Sequence, residues 1–123
     1  MNIRVALVDD DQSVRKALSR LLRVMNIEAV CYSSAEAFIV DPERQQFDCL
    51  LVDVQLTGMT GIELQRRLKA EQNPVPIIFI TAFEDPAAQA EAERGGCVAF
   101  FHKTDAGSRI IHAIRQAAGQ AEA

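Results

Sequence analysis

Apolar residues recur along this chain in two alternating rhythms. The nearly unbroken run Ile3-Arg4-Val5-Ala6-Leu7-Val8 ends abruptly in Asp9-Asp10-Asp11, the pattern of a buried strand. Val14, Ala17, Leu18, Leu21, Leu22 and Met25 then follow at helical spacing, with Arg15, Lys16, Ser19, Arg20 and Arg23 between them, which predicts an amphipathic helix over 12–25. Strand patterns return at 28–32, 48–53, 76–81 and 97–102. Ser33 with Glu36 three residues on predicts a capping box for a short helix through Ile39, and Thr60 with Glu63 predicts another for a helix to about Ala70. Asp85-Pro86 reads as an N-cap followed by a proline in the first helical position, and Asp105 as the cap of a last helix carrying Ile110, Ile111 and Ile114. Five apolar strands separated by helices predict an α/β fold whose parallel sheet is covered on both faces. The helix over 86–95 differs from the rest. It holds Ala87, Ala88, Ala90 and Ala92 and no large apolar side chain, so it forms readily but buries little area, which makes it a candidate moving part.

Composition narrows the function classes. At 123 residues the chain is expected to be one domain, residues 1–123, with no effector domain. The net charge is −4 and no stretch concentrates lysine and arginine, which argues against direct nucleic-acid binding by this domain. No apolar run approaches the ~20 residues of a membrane span, and Met1-Asn2 leads straight into a strand pattern, so neither membrane nor signal peptide is expected. Cys31, Cys49 and Cys97 are odd in number, far apart and mostly within apolar runs, and read as reduced core thiols of a cytoplasmic protein. His102 and His112 have no ligand spacing and read as incidental.

The informative chemistry sits at strand ends. Asp9, Asp10 and Asp11 follow the first strand, Asp53 closes Cys49-Leu50-Leu51-Val52, Thr81 closes Pro76-Ile77-Ile78-Phe79-Ile80, and Lys103 follows Val98-Ala99-Phe100-Phe101-His102. Open parallel sheets bind ligands in the crevice beyond the carboxyl ends of their strands, so these groups are expected to share one pocket. Two carboxylates ~4 Å apart repel by about 4 kcal/mol at an effective dielectric of 20, and such a cluster shares a proton or recruits a cation. Magnesium, which takes oxygen ligands and typically one or two carboxylates plus phosphate oxygens, suits Asp10 and Asp53, with Asp9 acting directly or through water. Taken singly each residue has a plainer reading: Asp10 or Asp11 as a helix cap, Asp53 as a turn residue before Gly58 and Gly61, Thr81 as a strand end, Lys103 as a solvated charge. Their combination, in order, at consecutive strand ends is what points to phosphoryl chemistry.

These residues carry a resemblance. Leu7-Val8-Asp9-Asp10-Asp11, the run from Val52 to Gly61, Ile80-Thr81-Ala82 and the run from Gly95 to Lys103 together resemble the receiver domain of two-component response regulators over essentially the full chain. Tyr32-Ser33-Ser34-Ala35-Glu36-Ala37-Phe38 is similar to the FixJ-type subgroup, whose members often carry a C-terminal helix-turn-helix domain. The resemblance implies a flavodoxin-like, doubly wound (βα)5 domain with strand order 2-1-3-4-5. It implies that Asp53 is the phosphoacceptor for a sensor histidine kinase or histidine phosphotransfer protein. Asp9, Asp10, Asp53 and the Gln55 backbone carbonyl are implied as ligands of Mg²⁺. Lys103 would pair with phosphoryl oxygens, Thr81 and the Ala82 backbone N–H would donate to them, and Thr81 and Phe100 would act as switch residues. The outcome implied is a conformational signal on residues 86–118, with phosphorylation-dependent homodimerisation through that surface, and self-catalysed phosphorylation and dephosphorylation rather than turnover of a separate substrate.

Two departures stand out. Thr104 follows Lys103 where the family usually has a proline after a cis peptide, and a trans bond is expected here because a cis non-proline bond costs ~3–4 kcal/mol. Thr57 stands where a proline commonly rigidifies the loop after the acceptor. Gln55 and Phe83 occupy positions that tune dephosphorylation in the family, and a bulky Phe83 is expected to slow it. Other classes fit less well. A phosphatase of the haloacid-dehalogenase type needs an acid two residues after its nucleophile, where Gln55 stands, and a flavin or nucleotide domain lacks its glycine-rich loop after the first strand. A phosphorylation-independent interaction module has only the altered Lys103 loop in its favour.

Overall fold

Strand and helix alternate along the whole chain. The computed structural model describes residues 2–122. The elements are β1 (Ile3–Val8), α1 (Gln12–Val24), β2 (Ile27–Tyr32), α2 (Ala35–Ile39), β3 (Cys49–Asp53), α3 (Gly61–Ala70), β4 (Ile77–Thr81), α4 (Pro86–Arg94), β5 (Ala99–His102) and α5 (Gly107–Glu122), with a short 3-10 turn at Arg44–Gln46 before β3. All neighbouring strands are parallel, in the order β2-β1-β3-β4-β5. This is the flavodoxin-like, doubly wound order expected.

Side-chain alternation along the strands divides the interior in two. Ala6, Val8, Leu50, Val52 and Phe79 point to the face covered by α2, α3 and α4, through Phe38, Leu64, Leu68 and Ala92. Val5, Leu7, Leu51, Ile78 and Ile80 point to the face covered by α1 and α5, through Leu22, Ile110, Ile111 and Ile114. Every residue of the central β3 and β4 is buried, whereas the edge strands β2 and β5 are buried only in part. That difference is why the central strands read as continuous apolar runs and the edges do not.

The local signals held in most places and failed in four. Thr60 and Glu63 form the expected capping box, and Asp85 caps α4 with Pro86 next to it. The Ser33–Glu36 box does not form: Ser34 caps α2 by accepting from the Ala37 N–H, and Glu36 reaches across to another loop. Asp105 lies two residues before α5 begins at Gly107 and, instead of capping it, accepts from the His102 N–H, folding back on the strand it follows. Of the three cysteines only Cys49 is a core thiol; Cys31 is exposed on the β2 edge and Cys97 is half-buried. The strand expected over 97–102 begins at Ala99, because the Gly95-Gly96 turn sends the Cys97 N–H back to the Ala92 carbonyl.

Candidate functional site

Strand register builds the site. Val8 pairs with Val52, so the next residues, Asp9 and Asp53, emerge side by side from β1 and β3. Asp53 itself pairs with Ile80, which leaves Thr81 one residue further out on β4. Thr81 pairs with His102, and the Lys103 N–H continues the ladder to the Thr81 carbonyl at 2.8 Å. Four strands thus deliver the acids, the hydroxyl and the ammonium to one end of the sheet, where the switch between helix layers opens a crevice.

The charges there are tightly arranged. Lys103 Nζ lies 3.0 Å from Asp53 Oδ2 and 3.0 Å from Asp9 Oδ2. Asp53 Oδ1 accepts from the Gln55 N–H at 2.9 Å, and Asp9 Oδ1 accepts from the Asp11 N–H at 2.8 Å. One carboxylate oxygen from each of Asp9, Asp10 and Asp53 falls within a 4.8 Å cluster. Asp9 is fully buried and Asp53 is 4% exposed, whereas Asp10 stands in solvent. Asp11 is the N-cap of α1, accepting from the Ser13 and Val14 N–H groups, so capping falls to the third aspartate and the first two are left for the site.

Electrostatics follow from this crowding. Burial pushes the Asp53 carboxyl above its ordinary value; the Gln55 N–H and Lys103 pull it down, and neighbouring Asp9 adds to the upward push. Burial works against the charged form of Lys103, but its hydrogen bond to Asp53 and the nearby charge of Asp9 outweigh that and raise it. The two shifts are compatible, since one ammonium is shared between two buried carboxylates and satisfies neither completely. Asp9 Oδ2 is the telling atom. It is buried and, although Lys103 Nζ is close enough for an ion pair, it makes no aligned hydrogen bond. An orphaned carboxylate oxygen beside two further carboxylates and one ammonium leaves unbalanced negative charge, and these hard oxygen donors fit a small divalent cation.

The remaining expected residues surround this centre. The Thr81 hydroxyl is buried and turned along its own loop, donating to the Phe83 carbonyl at 2.9 Å. Ala82 is exposed at the mouth of the site, and the Phe83 ring beside it is 65% exposed. Phe100 is half-buried on the α2–α4 face, its ring 6.3 Å from that of Phe79. All described peptide bonds are trans, Lys103–Thr104 among them, and Lys103 still reaches both acids. A groove of about 480 Å³ between α3 and α4 touches the site only at its edge through Gln55 and Thr57. A metal and a phosphoryl group need no deep cavity, so the chemistry is assigned to the charged cluster instead.

Three contacts escaped sequence reasoning. The Thr57 hydroxyl donates to Asp10 Oδ2 at 3.1 Å, the Glu36 carboxylate accepts from the Met59 N–H at 2.9 Å, and the Arg15 guanidinium donates to the Asp9 carbonyl at 2.6 Å. Only Gly58 hinted at the second: it has φ +79°, and a Cβ there would lie 2.5 Å from Glu36 Oε2.

Comparison with known proteins places the chain. The family model described as the response regulator receiver domain matches residues 5–115. The response regulator protein TodT of Pseudomonas putida is 37% identical over 113 residues, which are 92% of this chain and 50% of TodT. The transcriptional regulatory protein FixJ of Bradyrhizobium diazoefficiens is 34% identical over 118 residues, covering 96% of this chain and 58% of FixJ. The chain spans about half the length of the curated relatives it matches. Among solved structures, the crystal structure of FixJ-N superposes with a TM-score of 0.87 at 32% identity, covering 97% of this chain and 95% of that one. With the match running from the first buried strand into the last helix, the chain belongs to the response regulator receiver domain family, a signalling domain of two-component systems of the FixJ-like kind.

Proposed function

We propose that this chain is a phosphoacceptor that takes a phosphoryl group from a histidine kinase or histidine phosphotransfer protein onto Asp53. The observation that carries the reading is the position of Lys103 Nζ, 3.0 Å from both Asp53 Oδ2 and the orphaned Asp9 Oδ2. Asp9, Asp10, Asp53 and the Gln55 backbone carbonyl would hold Mg²⁺. When bound, that ion supplies neutralisation of the equatorial oxygen charge that develops during in-line transfer.

The chain's own groups do the rest. An Asp53 carboxylate oxygen attacks phosphorus, the bond from phosphorus to the donor's imidazole nitrogen breaks with its electron pair staying on nitrogen, and an acyl phosphate remains. The Gln55 N–H, donating to Asp53 Oδ1, holds the carboxylate plane so that Oδ2 faces outward toward Lys103. Lys103 then moves its hydrogen bonds from the carboxylate to the incoming phosphoryl oxygens. Thr81 gives up its bond to the Phe83 carbonyl and rotates to donate to the phosphoryl group, joined by the Ala82 N–H. Withdrawal of Thr81 frees space behind β4 for Phe100 to turn inward, and α4, β5 and α5 present a different surface, one that pairs with a second copy. The phosphoryl group shifts this equilibrium because it makes these contacts in one state only.

Mass spectrometry after incubation with acetyl phosphate and magnesium tests the reading, with Asp53→Asn as control. One added phosphoryl group in the parent and none in the variant is the expected result. No addition to the folded parent overturns it and leaves an interaction module that works without phosphorylation.

A further inference from the structure

The loop between β3 and α3, residues 54–60, aims one hydroxyl at the acidic cluster from outside it. Its backbone is held at several points. The Gln55 N–H donates to Asp53 Oδ1, the Met59 N–H donates to Glu36 Oε2, and Thr60 sits in the capping box with Glu63. Gly58, at φ +79°, passes so close to Glu36 that any Cβ would collide with its carboxylate. Thr57 rides between these fixed points, and its hydroxyl donates to Asp10 Oδ2 at 3.1 Å.

We infer that Thr57 is a positioning residue for magnesium: its hydroxyl holds the exposed Asp10 carboxylate in the orientation that binds the ion. Asp9 and Asp53 need no such help, because burial, Lys103 and backbone N–H donors already orient them. Asp10 is exposed, so its side chain is free to rotate unless something binds it. A carboxylate offers about four lone-pair sites, so accepting one hydroxyl leaves ligand capacity intact. Groups that orient a metal ligand from behind typically account for about 10–100-fold in affinity, and an exposed bond belongs at or below the lower end of that range. The inference rests on the reading of Asp10 as a magnesium ligand.

Calorimetric titration of Mg²⁺ into the unphosphorylated protein tests it, using the parent, Thr57→Val, Thr57→Ser, Asp10→Asn and the double variant Thr57→Val with Asp10→Asn. Thr57→Val keeps the branched shape without the hydroxyl and is expected to weaken Mg²⁺ binding roughly three- to tenfold. Thr57→Ser, which keeps the hydroxyl, restores the parent affinity. In the Asp10→Asn background Thr57→Val has no further effect. Melting curves in EDTA should superpose for the parent and both Thr57 variants, separating orientation of Asp10 from a general loss of loop structure. If Thr57→Val lacks a folded transition, Thr57→Ala carries the same comparison. Unchanged affinity in Thr57→Val alongside weakened binding in Asp10→Asn overturns the role of Thr57 and leaves the ligand reading standing. Parent-like affinity in Asp10→Asn overturns both.

Discussion

Asp53, the proposed acceptor, is a buried carboxylate held at a cost to the fold. Its burial, with the Asp9 charge adding to it, raises its pKa in the folded state above the ordinary carboxylate value, against the pull of the Gln55 N–H and Lys103. A group raised in this way stabilises the fold when protonated, below its unfolded pKa, and that contribution is lost as pH rises through the folded value. Ionised Asp53 is therefore a destabilising presence at neutral pH, and Lys103 keeps Asp9 as a partner when it is removed. Asp53→Asn is expected to melt higher than the parent at pH 7 in EDTA. The gap should close as pH falls below about 4, where the free carboxyl is neutral; a gap that widens on acidification would contradict this account. Phe83 acts at the same scale. Its ring stands exposed beside the Thr81 loop, so Phe83→Ala should release phosphate from the acyl phosphate several-fold faster. Loss of the phosphorylated mass over time in magnesium buffer measures it, and equal rates would remove the shielding role.

At the scale of the element, α4 is weakly anchored by apolar packing: its one buried side chain is an alanine, whereas α1, also with one, buries Leu22. Ala92 is its one buried residue, against five buried residues in α3. A polar contact substitutes for the missing apolar area: the buried Gln65 side chain on α3 donates to the Ala92 carbonyl at 3.0 Å. Gly95, which follows α4, has no room for a side chain because a Cβ would lie 2.5 Å from the Gln65 amide oxygen. The C-terminal end of α4 is thus pinned to α3, while its N-terminal end, capped by Asp85, follows the Thr81–Phe83 loop. Gln65→Ala should reduce stability by about 1–3 kcal/mol and raise amide hydrogen exchange in α4 above that in α3. Unaltered exchange in α4 would mean that the pin is elsewhere.

For the molecule as a whole, the carboxyl end of the sheet is where the proposed cation binding would couple to stability. A ligand that binds only the folded state stabilises it by RT ln(1 + [L]/Kd), about 2.7 kcal/mol at one hundred times Kd. Magnesium should therefore raise the melting temperature of the parent, and EDTA should return it. Asp10→Asn should blunt that rise, and a rise of equal size in that variant would remove Asp10 from the ligand set. Residues 86–118 are the surface we propose to carry the signal. Phe83 and Val98 are exposed apolar side chains on or beside this region, in keeping with a surface that gains a partner. Light scattering should report a doubled mass after phosphorylation and a monomer for Asp53→Asn; a monomer in both would separate signalling from self-association.

What the sequence determined by itself was whatever depends on local chemistry and chain direction. Continuous apolar runs named the buried strands, helical spacing named α1 and α5, and Thr60-Glu63 and Asp85-Pro86 marked helix starts. Because parallel strands put their carboxyl ends on one side, the meeting of Asp9, Asp53, Thr81 and Lys103 was legible although Lys103 and Asp53 are 50 residues apart. Tertiary structure decided the contacts that no period or cap encodes: Thr57 to Asp10 across 47 residues, Glu36 to Met59 across 23, and Gln65 to Ala92 across 27. Glu36 illustrates the reason. Its spacing from Ser33 satisfied a local rule, but Ser34 supplied the cap, and the carboxylate was free to bind a loop that packing had brought within reach. A side chain with a choice of partners takes the one that the folded backbone presents, and that choice exists only once the helices have docked on the sheet.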